Sequence, residues 1–263
     1  MLFPSLMLAC TVGGVVSVLI AGWLSNTLFA NHARRMVAFA VGVLLGFAFT
    51  DLLPEALNQG INLTNAGWML VAGMLLFFIL EKLALWRHFH HADAAPVATH
   101  PVEKQSGGQV AIILLGDGIH NFVDGILLAA SFLTDIKLGW VTAFAIVAHE
   151  IPQEISDFMV LIHAGLSKPR ALLLNMLSGS AMIVGGLVGW LSFTHIAPLI
   201  PYALLLAAAS FIYIALADLV PTLQTQYRPQ DLLVQCLLIA CGLGVAWLSP
   251  FIQQQIFHVW SST

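Results

Sequence analysis

The stretch His149-Glu150-Ile151-Pro152-Gln153-Glu154-Ile155-Ser156-Asp157 sets one imidazole, one amide and three carboxyl groups close together, and Asp117-Gly118-Ile119-His120-Asn121-Phe122-Val123-Asp124-Gly125 sets out a second imidazole, a second amide and two more carboxyl groups. On a helix, Asp117, His120 and Asp124 fall at i, i+3 and i+7, on one face. His149 and Gln153 form an i, i+4 pair, as do Glu150 and Glu154, and Asp157 lies one turn further along. Imidazole nitrogens with carboxylate and amide oxygens, and no thiolate, suit Zn2+ and other divalent first-row ions better than Cu+. A single histidine or acid can serve only to lock two helices together. Two matched stripes carry more polar groups than helix packing requires.

Both clusters are embedded in apolar sequence, from Val141 to Ala148 and from Phe158 to Ile162 around the second of them. An ionised acid at the centre of a membrane helix costs roughly 2.5–3.5 kcal/mol on insertion scales, so several acids at that depth must face a cavity, a metal or one another. Pro152 adds a mechanical feature. It has no N–H to give to the carbonyl of Ala148, which must find water, a side chain or an ion instead.

The elements that must position these groups follow from composition. Hydrophobic residues make up 59% of the 263 residues and charged ones 8%, and the mean hydropathy is +0.92, values that indicate a polytopic membrane protein. The nine Lys and Arg residues are scattered, so no basic face exists for nucleic acid. Cys10, Cys236 and Cys241 lie in apolar runs without CxxC spacing and read as core residues. The run from Met1 to Leu24 has no Lys or Arg before Arg34, so it reads as a first membrane helix and not as a signal peptide with a basic start.

Seven further spans are expected near residues 36–56, 66–86, 109–133, 139–163, 171–191, 199–221 and 231–251, making eight in a single transmembrane domain over residues 1–263. With both termini outside, the inner loops hold Arg34, Arg35, Lys82, Arg87, Lys104, Lys168, Arg170 and Arg228, against Lys137 on the outer side. That distribution obeys the positive-inside rule. The connector 88–108 is polar and holds His88, His90, His91, His100 and Asp93, groups able to chelate a transition metal or simply to be solvated.

An internal repeat also emerges. The second span ends Asp51-Leu52-Leu53-Pro54-Glu55 and the seventh Asp218-Leu219-Val220-Pro221. These helices run in opposite directions on this topology, as an inverted repeat of spans 1–3 and 6–8 around a central pair, spans 4 and 5, requires. Asp51 and Glu55 then sit toward the outer face as a capture point, and Asp218 lines the inner exit.

His120-Asn121-x-x-Asp124-Gly125 and His149-Glu150-x-Pro152-x-Glu154-x-x-Asp157 closely resemble the fourth- and fifth-helix signatures of the ZIP (Zrt/Irt-like) metal transporters. The resemblance extends over nearly the whole chain, including Leu80-Glu81-Lys82 and Leu174-Asn175-x-x-Ser178. It implies transport of divalent metal, Zn2+ first and also Fe2+, Mn2+, Co2+ or Cd2+, into the cytosol by a homodimer. It further implies a binuclear site between spans 4 and 5. His120, Asp124, His149 and Gln153 would form the first position and Asn121, Asp124, Glu150 and Gln153 the second, with Asp124 as a bridge. Glu154, Asp157 and Asp117 are further candidates for ligands or for the transport path.

Gln153 departs from the family pattern, since a neutral amide cannot bridge two cations as a carboxylate does. The negative charge of the implied ligands then comes from Asp124 and Glu150 alone, which balances one divalent ion. An enzyme is the competing class, because His149-Glu150-x-x-Gln153 is one residue short of the zinc-protease motif. That motif needs a second histidine where Gln153 stands, and Pro152 interrupts the helix. A passive metal channel is left open by the residues alone.

Overall fold

The computed structural model describes residues 2–26, 30–92, 107–224 and 229–261, and among these the chain is helical with no strand. The helices are α1 Leu2–Thr11, α2 Ser17–Asn26, α3 Ala30–Phe47, α4 Leu53–Asn58, α5 Leu63–Ala92, α6 Gly107–Thr134, α7 Ile136–His163, α8 Lys168–Gly179, α9 Ala181–His195, α10 Ile200–Tyr213, α11 Val220–Gln224 and α12 Pro229–Ser261. Several join through wider π turns into single rods, as α1 does with α2 through Val12–Val16.

Seven helical stretches among the described residues are long and apolar enough to cross a membrane: Leu2–Ser25, Arg35–Asn58, Leu63–Leu80, Ile113–Thr134, Lys168–His195, Ala197–Gln224 and Asp231–Ser249. The difference from the expected eight is α7. Its 28 residues span about 42 Å at a rise of 1.5 Å each, but with the polar residues from His149 to Asp157 it falls outside the stretches apolar enough to cross. The molecule is an all-α multi-pass membrane protein.

Packing puts the polar helices inside. The strongest pairings are α6 with α9 and α3 with α12, and α7 lies against α2, α6 and α3. Close approach of α6 and α9 depends on glycine: a Cβ at Gly125 would collide with the Met182 carbonyl, and one at Gly185 with the Phe122 carbonyl. The outermost stretches are Leu63–Leu80 and Asp231–Ser249, each only 17% buried, and their exposed Leu, Val and Trp side chains suit lipid. This corrects one expectation. Cys10 is buried, but Cys236 and Cys241 are exposed on the outer face of α12, where a thiol contacts lipid as a small apolar group.

Turn chemistry joins the two site helices. Asp135 caps the start of α7 in an extended conformation, its carboxylate accepting from the Lys137 N–H at 2.7 Å and the Leu138 N–H at 3.4 Å. Only this one residue separates α6 from α7, so the two run antiparallel with facing stripes. Gly165 ends the α7 side at φ +90°, a left-handed conformation that glycine adopts without a Cβ clash. At the other end of α5 the helix continues through His88, His90 and His91 to Ala92, so the connector starts later than expected. Asp93 and His100 lie outside the described residues.

Both Asp-Leu-x-Pro segments have the same local shape. Asp51 lies in the π turn Ala48–Leu52 and Asp218 in the π turn Ile214–Leu219, and each turn ends two residues before its proline. The extra residue of a π turn absorbs the hydrogen bond and the space that proline denies to an α-helix.

Candidate metal centre

α6 and α7 bring His120, Asp124, His149 and Glu150 to one point, with one ligand atom of each within 4.8 Å of the others. Nε2 of His120 lies 3.4 Å from Nε2 of His149. Oδ2 of Asp124 is 3.3 Å from His149 Nε2 and 3.9 Å from His120 Nε2. Oε1 of Glu150 is 3.5 Å from His120 Nε2 and 3.7 Å from His149 Nε2. His149, Asp124 and Glu150 are fully buried, while the His120 side chain is 17% exposed.

The protonation of His149 follows from its partner. Its Nδ1 is 3.0 Å from the Ala145 carbonyl. A carbonyl only accepts, so Nδ1 carries a proton toward Ala145 and Nε2 is the nitrogen that faces the cluster, the arrangement by which proteins orient metal-binding histidines. Phe211 of α10 packs edge-on against the same ring, with centroids 6.0 Å apart. Among the described residues no hydrogen bond satisfies either carboxylate oxygen of Asp124 or of Glu150. Buried acceptors without donors are costly, and a cation at their centre would satisfy all of them at once.

The remaining candidates are distributed around this point. Asn121 is buried, but its amide nitrogen donates to Asp117 Oδ1 at 3.0 Å and to the Asp117 carbonyl at 3.3 Å. Gln153 is half-buried, and its side chain makes no hydrogen bond to a described residue. Glu154 and Asp117 join Glu150 in a second acidic group. Asp157 is half-buried further along α7, and Asp218 is exposed.

Asp51 and Glu55 line an open cleft of about 480 Å³ together with Thr50, Pro54, Asn58, Asp135, Lys137 and Leu138. Asp51 accepts from Thr50 at 2.6 Å and from Ser249 of α12 at 3.1 Å. The cleft therefore opens at the Asp135 end of the α6–α7 pair. Sequence reasoning did not assign Asp135 to it; the signal was an acid in the short connection between the two site helices.

A family model described as "ZIP Zinc transporter" matches residues 2–111 and 88–249, nearly the whole chain. The chain belongs to the ZIP family. It is 31% identical over 261 residues to "Zinc transporter ZIP13" of Pongo abelii, covering 92% of this chain and 72% of that protein. To the Mus musculus protein of the same name it is 30% identical over 288 residues, covering 92% and 78%. A shorter match, 41% over 110 residues, reaches "Metal cation symporter ZIP14" of Xenopus tropicalis, covering 42% of this chain and 23% of that one. As a ZIP protein the molecule is a metal-ion transporter and not an enzyme.

Proposed function

We propose that this ZIP protein carries Zn2+ into the cytosol through the site formed by His120, Asp124, His149 and Glu150 between α6 and α7. The observation that carries this reading is the convergence of two imidazole Nε2 atoms and two unsatisfied carboxylates, with the His149 ring oriented by Ala145. Two imidazole nitrogens and two carboxylate oxygens are a donor set that zinc favours. The zinc transporters among its relatives support that choice of substrate. Asn121 and Gln153, which the family resemblance makes ligands, lie on the same two helices, and the Asn121 amide oxygen is itself buried without a hydrogen-bond partner among the described residues.

In this reading α7 is the eighth span of one transmembrane domain, its polar stripe covered by α2, α6 and α3. The matched π turns at Asp51 and Asp218 favour the inverted repeat. The Lys and Arg distribution favours external termini, so the cleft at Asp51 and Glu55 faces outward and collects cations. The working unit is a homodimer. Uptake of zinc by vesicles holding the purified protein, with wild type compared to His149→Ala, tests the assignment. Equal uptake by the two would overturn it.

A further inference from the structure

The acidic cleft at the Asp135 end of the site helices contains a cation of its own. One wall is the rod that runs from α3 through the π turn Ala48–Leu52 into α4, with Asp51 and Glu55 on it, and the other is the turn from α6 into α7, with Asp135, Lys137 and Leu138. Of the described residues that line the cleft, only Lys137 is basic. It is half-buried, as are Asp51 and Glu55.

Both walls are held in place by neutral donors. Asp51 accepts from Thr50 and from Ser249 of α12, and Glu55 accepts from the Gln59 amide at 3.0 Å. The same Gln59 nitrogen donates to Thr134 at 3.4 Å, at the last residue of α6, and so links the two walls. Asp135 is engaged in capping α7 through the Lys137 and Leu138 N–H groups. Three carboxylates and one ammonium therefore share a cavity of about 480 Å³. A space of that volume is roughly 8 Å across, no wider than the Debye length of about 8 Å at physiological ionic strength, so these charges act on one another and on any ion that enters.

The ordinary reasons for placing a lysine do not account for this one. Lys137 is the second residue of α7, and a cation in the first turn opposes the helix macrodipole, which favours anions there. It also stands on the side that the Lys and Arg distribution makes outer, where such residues are depleted. The cleft is what its position serves. We propose that Lys137 sets the strength of ion capture, its ammonium sharing the acidic cleft with the incoming metal ion and weakening the hold of Asp51 and Glu55 on it. Those two acids alone would balance one divalent ion. At equal distance the ammonium repels a divalent ion twice as strongly as a monovalent one, and a site on a conduction path must be weak enough to pass its ion on.

The inference rests on the reading of the cleft as the capture point, and its test separates the two. Initial rates of zinc uptake are measured against zinc concentration in vesicles holding the purified full-length protein. Lys137→Gln should lower the apparent KM several-fold and change the maximal rate less. Added salt should raise the KM of this variant more steeply than that of wild type, because more net charge is left in the cleft to be screened. Lys137→Arg keeps the charge and should keep both the KM and the salt dependence of wild type. An unchanged or higher KM in Lys137→Gln, or the same fall in Lys137→Arg, overturns the proposal. Should Lys137→Gln fail to fold, Lys137→Met removes the charge while keeping an unbranched apolar stem and decides in its place. Asp51→Asn with Glu55→Gln, measured beside these, tells the two failures apart. A raised KM in that variant with no effect of the lysine removes only the role of Lys137, whereas an unchanged KM removes the capture point and the role of Lys137 with it.

Discussion

His120 Nε2 and His149 Nε2 lie 3.4 Å apart. Two nitrogens bound to one tetrahedral zinc at 2.0–2.1 Å are separated by about 3.3 Å. The two rings thus already hold the spacing that a shared ion needs, and ion binding demands little movement of either helix.

Removing either imidazole should therefore abolish transport without unfolding the chain. His149→Ala and His120→Ala are expected to reduce zinc uptake on the order of a hundredfold or more, given that even outer-shell partners of a metal site are worth 10–100-fold. Circular dichroism and size-exclusion profiles should match wild type. Wild-type uptake in both variants would sink the site.

The cleft that holds Asp51 and Glu55 makes a different prediction. On the proposed path its carboxylates act before the ion is bound, so Asp51→Asn with Glu55→Gln should raise the apparent KM several-fold and change the maximal rate less. Added salt should weaken wild-type capture and affect the variant less, because screening acts on exposed charge. A fall in maximal rate at unchanged KM would move these residues elsewhere on the path.

Gln153 tests how far the site is tuned for release. A carboxylate at this half-buried position would add charge beside donors that already balance the cargo. Gln153→Glu should retain zinc longer and lower turnover several-fold, since a more tightly held ion leaves more slowly. Stopped-flow measurement of zinc release from the purified protein reads this directly; release as fast as wild type would contradict it.

The α6–α9 seam predicts a stability effect with no chemistry in it. A methyl at Gly125 or Gly185 meets a backbone carbonyl of the opposite helix, and such overpacking typically costs about 1–3 kcal/mol. Gly185→Ala should lower the melting temperature in detergent by several degrees, with metal stoichiometry retained by the molecules still folded. An unchanged melting temperature would mean the helices can separate freely.

Much of this was legible in the chain itself. Composition alone identified a membrane protein, because an apolar fraction of 59% has no aqueous solution. The pairing of His120 with Asp124, and the stripe from His149 to Glu154, followed from 3.6 residues per turn, a local property that every helix shares. The expected spans 109–133 and 139–163 left a connection of only five residues, short enough to make the two helices antiparallel neighbours.

Tertiary packing decided the rest. Spacing placed Asp117, His120 and Asp124 on one face, yet only the crossing of α6 and α7 separated Asp117 into a second group and made Glu150 common to both. Asn175 and Ser178 reach Glu154 and Asp117 across 21 and 61 residues of sequence, contacts that no periodicity encodes because they depend on how α8 lies against α6 and α7. The amide nitrogen of Asn121 is held by Asp117, which leaves its oxygen, the atom that the resemblance makes a ligand, buried without a hydrogen bond to any described residue. Residue types and helical spacing specify which donors can meet; the packing angle and depth of neighbouring helices determine which of them do.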